Sequence, residues 1–292
     1  MELGLALPQG ADRDLRRDVI KVAKQAEQAG FAGLWAYERV LFPLSPADGL
    51  YGIEGLPWLD YYQHCADPLT VLTLAGAVTE RIQLGTSVLV APMRGKLHMA
   101  RALATLDQAT DGRVTAGLGS GWSTDEYAAA GVDFARRGRG MDETIDALRA
   151  LAGPKPVGRI PILLGGGLTP RAVRRIAEKA DGWMPSSAHG AATIGQTWKQ
   201  VLHLAEAAGR DPDELRLVPV ASMVAVTSKP LGAGREPFQG SPEELTEDFA
   251  SLAQAGADEV IVGLDGDCAT ADELIDKALI LLETATQAGL RG

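Results

Sequence analysis

The chain has 292 residues, a formal net charge of −10 and 46% hydrophobic residues, the profile of an ordinary globular protein. The acidic balance argues against nucleic-acid binding, no apolar run reaches membrane-spanning length, and the polar N-terminus does not read as a signal peptide. A cytoplasmic protein is the expectation. Cys65 and Cys268 stand in unrelated contexts, so neither a disulfide framework nor a cysteine-based metal site is expected, and no metal is assigned.

Eight strand-like runs alternate with helical segments. The first run, Leu3–Pro8, leads to a helix from about Asp14 with Leu15, Val19, Val22 and Ala26 on one face. Gly30 closes that helix, and Gly33–Glu38 reads as strand two. The stretch Arg39–Ala66, rich in Pro and Gly, is a long irregular excursion of the kind that is more often functional than idle. Asp67-Pro68 caps the next helix, Ile82–Val90 reads as strand three, and a helix over about Leu97–Thr110 turns at Asp111-Gly112 into strand four, Val114–Leu118.

The loop after strand four, Gly117 to Trp122, reads GLGSGW, and Ser123 with Glu126 makes a capping-box pattern. A helix near Gly140–Ala152 carries Met141, Ile145, Leu148 and Leu151 on one face. Strand five, Ile160–Leu164, runs into Gly165, Gly166 and Gly167, after which Thr169-Pro170 starts a helix. Thr169 is a good N-cap and Pro170 suits the first helical position. Such a turn admits an anion to the backbone N–H groups at a helix N-terminus, or it is a tight βα turn that binds nothing; the stretch alone leaves both readings open. Strand six surrounds Trp183. A helix of about Ala192–Ala208, strand seven over Leu215–Val226, a cap at Ser241-Pro242-Glu243-Glu244, strand eight over Glu259–Leu264 and a final helix capped by Thr270 and Glu273 complete the chain. Eight βα units in one chain of this length predict a single (β/α)8 TIM barrel over residues 1–292.

In such a barrel the chemistry lies at the C-terminal ends of the strands. Glu38 ends strand two, where its carboxylate either points into the mouth or pairs with Arg39. There is no phosphate-binding P-loop, no HExxH zinc motif, no GxSxG elbow and no paired CxxC. His64, His98, His189 and His203 lie far apart without ligand spacing and read first as surface or core residues, although His64 and His189 follow strand ends. GLGSGW is G-x-G-x-G rather than G-x-G-x-x-G, so it is a weak dinucleotide signal. It suits equally a loop that lets a flat ring approach the backbone, with Trp122 beside that ring or covering the barrel rim.

Four stretches, AEQAGFAGLWAYERV, TERIQLGTSVLVAP, ARALATLDQATDGRVTAGLGSGW and GGGLTPRAVRRIAEKADGWMP, together resemble the luciferase-like monooxygenase superfamily. Within it the chain looks closest to the actinobacterial-type oxidoreductases that use the deazaflavin coenzyme F420. The resemblance implies an isoalloxazine-like ring at the C-terminal mouth, hydride transfer between F420 and a small organic substrate with a C=C, C=O or C=N bond, and a homodimer. FMN with oxygen, as in a monooxygenase, is the alternative, and a flavin-binding protein without catalysis is a third. Glu38 stands where relatives carry an acidic residue followed by His, a catalytic and ring-contacting place; here Arg39 follows instead. Thr86, Ser87 and Val88 match the strand-three bulge where relatives hold a non-proline cis peptide behind the ring. Gly119, Ser120, Gly121 and Trp122 match the loop beside the cofactor's side chain, and Gly165, Gly166, Gly167 and Thr169 match the phosphate-binding turn, with Arg171 and Arg174 on the helix behind it. Trp58, Tyr62 and His64 from the long loop are the candidate substrate contacts, His64 also as a catalytic group. The short connection ALAGPKPVGRIP before strand five replaces a longer excursion in relatives, which implies a more open site, a changed substrate, or a mobile loop missing from this sequence.

Overall fold

The computed structural model of the protein describes residues 1–10, 13–150 and 159–290. In chain order the strands and helices are β1 (Glu2–Ala6), α1 (Leu15–Ala29), β2 (Gly33–Ala36), α2 (Pro68–Gly76), β3 (Gln83–Thr86), β4 (Leu89–Val90), α3 (Lys96–Ala109), β5 (Val114–Gly119), α4 (Thr124–Ala129) and α5 (Arg137–Ala150). Then come β6 (Ile162–Gly165), α6 (Pro170–Lys179), β7 (Gly182–Met184), α7 (Ala191–Ala207), β8 (Arg216–Leu217), β9 (Val220–Ala221), β10 (Ala225–Val226), β11 (Gln239–Gly240), α8 (Pro242–Gln254), β12 (Glu259–Val262) and α9 (Ala271–Gln287).

The strands pair in parallel in the order β8-β7-β6-β5-β3-β2-β1-β12-β9. Because β8 and β9 are two pieces of the run Arg216–Ala221, this order closes on itself. Along that run Val218 N and Val220 N donate to Trp183 and Pro185 carbonyls, each at 2.8 Å, while Ile261 N and Gly263 N donate to Pro219 and Ala221 carbonyls at 2.9 and 2.8 Å. The run thus serves β7 on one side and β12 on the other, and the expected (β/α)8 TIM barrel is formed. Pro219, which has no N–H to give, accounts for the gap between its two pieces.

Apolar periodicity places the helices around this ring. Val19, Val22, Ala23 and Ala26 of α1 and Val173, Ile176 and Ala177 of α6 are buried against the strands. Caps set the helix starts: Asp14, Asp67, Ser123, Thr169, Ser241 and Thr270 each accept a hydrogen bond from a first-turn N–H. At Ser241 the full capping box forms. At Ser123 it does not: Ser123 Oγ accepts Glu126 N at 3.2 Å, but the Glu126 carboxylate turns away to another partner. Leu148 packs at the edge of the core, whereas Leu151 and most of the connection ALAGPKPVGRIP lie outside the described residues.

Two expected strands differ. Strand three is broken into β3 and β4 by a cis peptide between Ser87 and Val88, as the family likeness implied. Strand seven does not run on to Val226. It leaves the barrel after Ala221, because its neighbours β7 and β12 end at Met184 and Val262 and offer nothing further to pair with. The residues beyond form β10, which pairs with β11 in a separate two-stranded sheet.

The end of the barrel where the strands begin is filled. The Trp35 side chain lies inside the ring, where a Cβ on Gly33 would come within 2.7 Å of its Nε1, and where Gly4 and Gly85 likewise leave it room. Its Nε1 donates to Glu259 Oε1 at 2.7 Å, and Arg216 Nη2 reaches the other Glu259 oxygen at 3.1 Å. Ala6, Leu163, Met184, Val218 and Ile261 form one buried cluster with Trp35, with Val88 and Val220 packed against it.

Candidate functional site

At the opposite end β5 and β6 terminate in glycine, at Gly119 and Gly165. Val88 is the meeting point of three strand-end segments. A Cβ built on Gly165 would stand 2.8 Å from Val88 Cγ1, and one built on Gly119 would collide with Val88 Cγ2. Glycine at 119 and 165 therefore lets the β5 and β6 ends close against the Val88 side chain. Thr86 is buried beneath, its hydroxyl donating to the Gly117 carbonyl at 2.8 Å, and Ser87 N donates to the Ala36 carbonyl at 2.8 Å. Gly121 holds φ +67, and a Cβ there would meet Val90 Cγ1 at 2.6 Å. Tyr127 Oη donates to the Ser120 carbonyl at 2.6 Å and fixes this loop.

The glycine turn after β6 is exposed. Gly166 has φ +90, with nothing within 4 Å of a Cβ built there, and Trp183 Nε1 donates to its carbonyl at 2.9 Å. Thr169 Oγ1 accepts Ala172 N at 3.3 Å as the cap of α6. Among the described residues, the N–H groups of Gly167, Leu168 and Thr169 make no hydrogen bond within the protein. A helix N-terminus with three outward amides is a ready anion cradle. Arg171 and Arg174 behind it are exposed, Arg174 beside Glu178 at 4.0 Å.

Glu38 is only 4% exposed and already engaged. One oxygen accepts Val90 N at 2.5 Å and the other accepts Arg94 Nε at 2.6 Å; Arg94 Nη2 also reaches Asp67 at 2.7 Å. The carboxylate thus ties β2 to the segment after the cis peptide.

The excursion 39–66 folds over this end of the barrel. Asp48 Oδ2 accepts Thr124 N at 2.7 Å and Thr124 Oγ1 at 2.6 Å, and Asp125 accepts Ala47 N at 2.8 Å. Its aromatic rings close on one another. Trp58 lies 4.9 Å from Trp122 and 5.6 Å from Phe42 between centroids, and Tyr51 Oη and Tyr62 Oη are 2.8 Å apart. Trp58 and Tyr62 are buried under this cover, whereas His64 at its edge is exposed. Arg39 sits among the rings. Its Nε donates to the Glu38 carbonyl at 2.7 Å and its Nη1 to Glu126 Oε2 at 3.2 Å. Its guanidinium carbon is 5.0 Å from the Trp122 centroid, 5.8 Å from Tyr62 and 5.9 Å from Trp58. Glu126 also accepts Val40 N at 2.7 Å; burial pushes its carboxyl up from the usual range, and Arg39 pulls it back.

On the far side of the mouth Asp265 accepts Tyr37 Oη at 2.9 Å and Gly10 N at 3.1 Å. Burial pushes the nearby Cys65 thiol up to about 11, against the pull of Arg39. No group of metal-ligand residues is found among the described residues, and no helix there is long and apolar enough to cross a membrane.

The structure therefore gathers Val88, Gly119, Gly165 and the turn to Thr169 at one end of the barrel, with Trp58, Tyr62 and Trp122 packed in the cover. His64 stays apart. The roles of Arg39, Glu126, Arg94 and Trp183 were not foreseen. The Glu-Arg dipeptide was the available signal for Arg39, but its partner 87 residues away has none.

Residues 1–236 match the sequence profile of the luciferase-like monooxygenase family. An uncharacterized protein of Mycobacterium tuberculosis is 32% identical over 264 residues, which are 83% of this chain and 85% of that protein. The F420-dependent glucose-6-phosphate dehydrogenase of Amycolatopsis mediterranei is 30% identical over 139 residues, 46% of this chain and 37% of that enzyme. The FMNH2-dependent dimethylsulfone monooxygenase of Pseudomonas fluorescens is 29% identical over 185 residues, 56% and 46% of the two chains. Among solved structures, monooxygenase RslO1 from Streptomyces bottropensis superposes with a TM-score of 0.80 at 18% identity, covering 99% of this chain and 100% of that one.

Proposed function

The chain belongs to the luciferase-like monooxygenase family, whose relatives include F420- and FMN-dependent enzymes, and on that premise we propose that it is an F420-dependent oxidoreductase. Its substrate is a small organic acceptor with a C=C, C=O or C=N bond, and the barrel of residues 1–292 works as one domain, paired in a homodimer. The observation that carries this reading is the meeting of Val88, Gly119 and Gly165 beside an exposed glycine turn whose free amides stand at the start of α6. These residues fit a flat ring with a phosphate-bearing tail. Gly119 and Gly165 leave room for the Val88 side chain, the space beside Gly166 is open, and the amides of Gly167 to Thr169 lack partners among the described residues.

F420, when bound, supplies the hydride chemistry. The chain's part is to hold and orient. Val88 backs the ring, the Gly119 to Trp122 loop flanks it, and the turn Gly165 to Gly167 with the Thr169 hydroxyl takes the phosphate. Glu38, through Val90 N and Arg94, fixes the segment that carries Val88. Trp58 and Tyr62 close over the acceptor and exclude water.

A second reading, an FMNH2-dependent monooxygenase, is favoured by the dimethylsulfone monooxygenase likeness. A third, binding without turnover, is favoured by Arg39 in the place where the resemblance implies His. Spectral titration and turnover separate the three. Tight F420 binding with oxidation of F420H2 by an enone, imine or ketone supports the proposal. Oxygen consumption with FMNH2 would replace it by the second, and binding without turnover by the third.

A further inference from the structure

Arg39 is held in a way that an ordinary surface arginine is not. Three aromatic rings surround its guanidinium within 5.9 Å, which desolvates the cation and fixes its plane. Its Nε is committed to the Glu38 carbonyl and its Nη1 to Glu126. Among the described residues Nη2 has no protein partner, and the Arg39 side chain is 11% exposed. The rings that hold the cation, Trp58 and Trp122, lie 4.9 Å apart between centroids beside it.

We infer that Arg39 is a specificity-determining residue that receives a carboxylate on the substrate, whose flat apolar body lies against Trp58 and Trp122. This rests on reading the covered mouth as the substrate pocket. An arginine fork with one arm pinned and one free suits a planar, singly charged oxyanion. Buried Glu126, on the pinned arm, opposes a doubly charged phosphate by repulsion. A histidine at this position would lose its charge near pH 6.5; an arginine does not, so the recognition is independent of pH over the physiological range.

The test uses the full chain without cofactor, titrated calorimetrically with benzoate and with its neutral analogue benzamide. Benzoate is expected to bind at least about tenfold more tightly than benzamide, from one charge-assisted hydrogen bond. Arg39→Gln removes that preference and Arg39→Lys keeps part of it. Arg39→His restores it only below about pH 6.5, where the imidazole is charged, a dependence that a purely structural residue would not create. Arg101→Gln, at an exposed arginine of α3, leaves benzoate affinity unchanged. Equal binding of benzoate and benzamide, no binding of either, or undiminished benzoate affinity in Arg39→Gln would overturn the inference. Parallel F420 and FMN titrations report on the cofactor reading separately, so either proposal can fail while the other stands.

Discussion

The two ends of this barrel use glycine for opposite purposes. Where the strands begin, Gly4, Gly33 and Gly85 surrender their side-chain space to Trp35, which anchors on Glu259 and seals the ring. Where the strands end, Gly166 has no neighbour within 4 Å of a built Cβ, and its turn leaves amides unpaired. The carboxylates differ in the same sense. Glu259 is 2% exposed and joins a tryptophan to an arginine of the barrel floor. Glu38 is as deeply placed but braces the segment that lines the mouth. One end is built to be full, the other to be filled, and substitutions there should separate into stability effects and binding effects.

The largest expected effect is at the floor. Trp35→Ala should destabilise the protein by about 3–5 kcal/mol, through the emptied volume and the orphaned Glu259 oxygen, read by urea unfolding. A loss below about 1 kcal/mol would erase the contrast. At the mouth, Thr169→Ala should weaken binding of intact cofactor by about 1.5–3 kcal/mol, roughly ten- to a hundredfold. Its effect on unfolding should be only that of a lost helix cap, about 1 kcal/mol. Gly166→Val should likewise lose affinity through a blocked approach, with about 1–2 kcal/mol of strain from its left-handed backbone. Cofactor fragments without the phosphate should be indifferent to both changes, and equal loss for fragment and whole would show the turn to be only a turn.

Glu38→Gln joins the two categories. It should cost about 1–3 kcal/mol of stability, because Arg94 loses a charged partner, and lower turnover more than cofactor affinity. Unchanged turnover would confine Glu38 to bracing.

The smallest effect is one of pH. Burial raises the Glu259 carboxyl above its ordinary 4.5, against the pull of Trp35 and Arg216. The folded state therefore holds this proton more tightly than the unfolded chain. The associated stability is fully present below pH 4.5 and is lost as pH rises through the raised folded value. Glu259→Gln should flatten that slope in unfolding curves taken across this window; an unchanged slope would mean another group sets it.

The frame of the molecule was legible because its signals are local. Alternating apolar runs, capping residues and glycine stops lie within a few residues of what they determine, so the helices and most strands fall where the pattern places them. The interior of Arg216–Ala221 was legible too, but its exit from the barrel was not, since that depends on where β7 and β12 end. The site was less readable for the same reason. Glu38 meets Arg94 across 56 residues and Arg39 meets Glu126 across 87. Glu126 has the spacing of a capping box, yet a cationic partner and an N–H of the long loop compete more strongly for it than the Ser123 N–H. The cis peptide at Ser87-Val88 came from likeness to relatives, not from those residues themselves. His64 follows a strand end in sequence but is carried outward by the fold of the long loop.

The closed run of strands has a consequence for company. An open sheet offers its outer strands as templates on which another chain can lay itself down. A hoop in which Arg216–Ala221 serves β7 and β12 at once has no such border among the described residues, and the small β10–β11 ribbon presents only two paired residues per strand. A second copy of this chain that met the first at the barrel would do so through helix flanks or loops. Its grip will be made of side chains, and will be sensitive to their replacement rather than indifferent to it, as a ladder of backbone bonds would be.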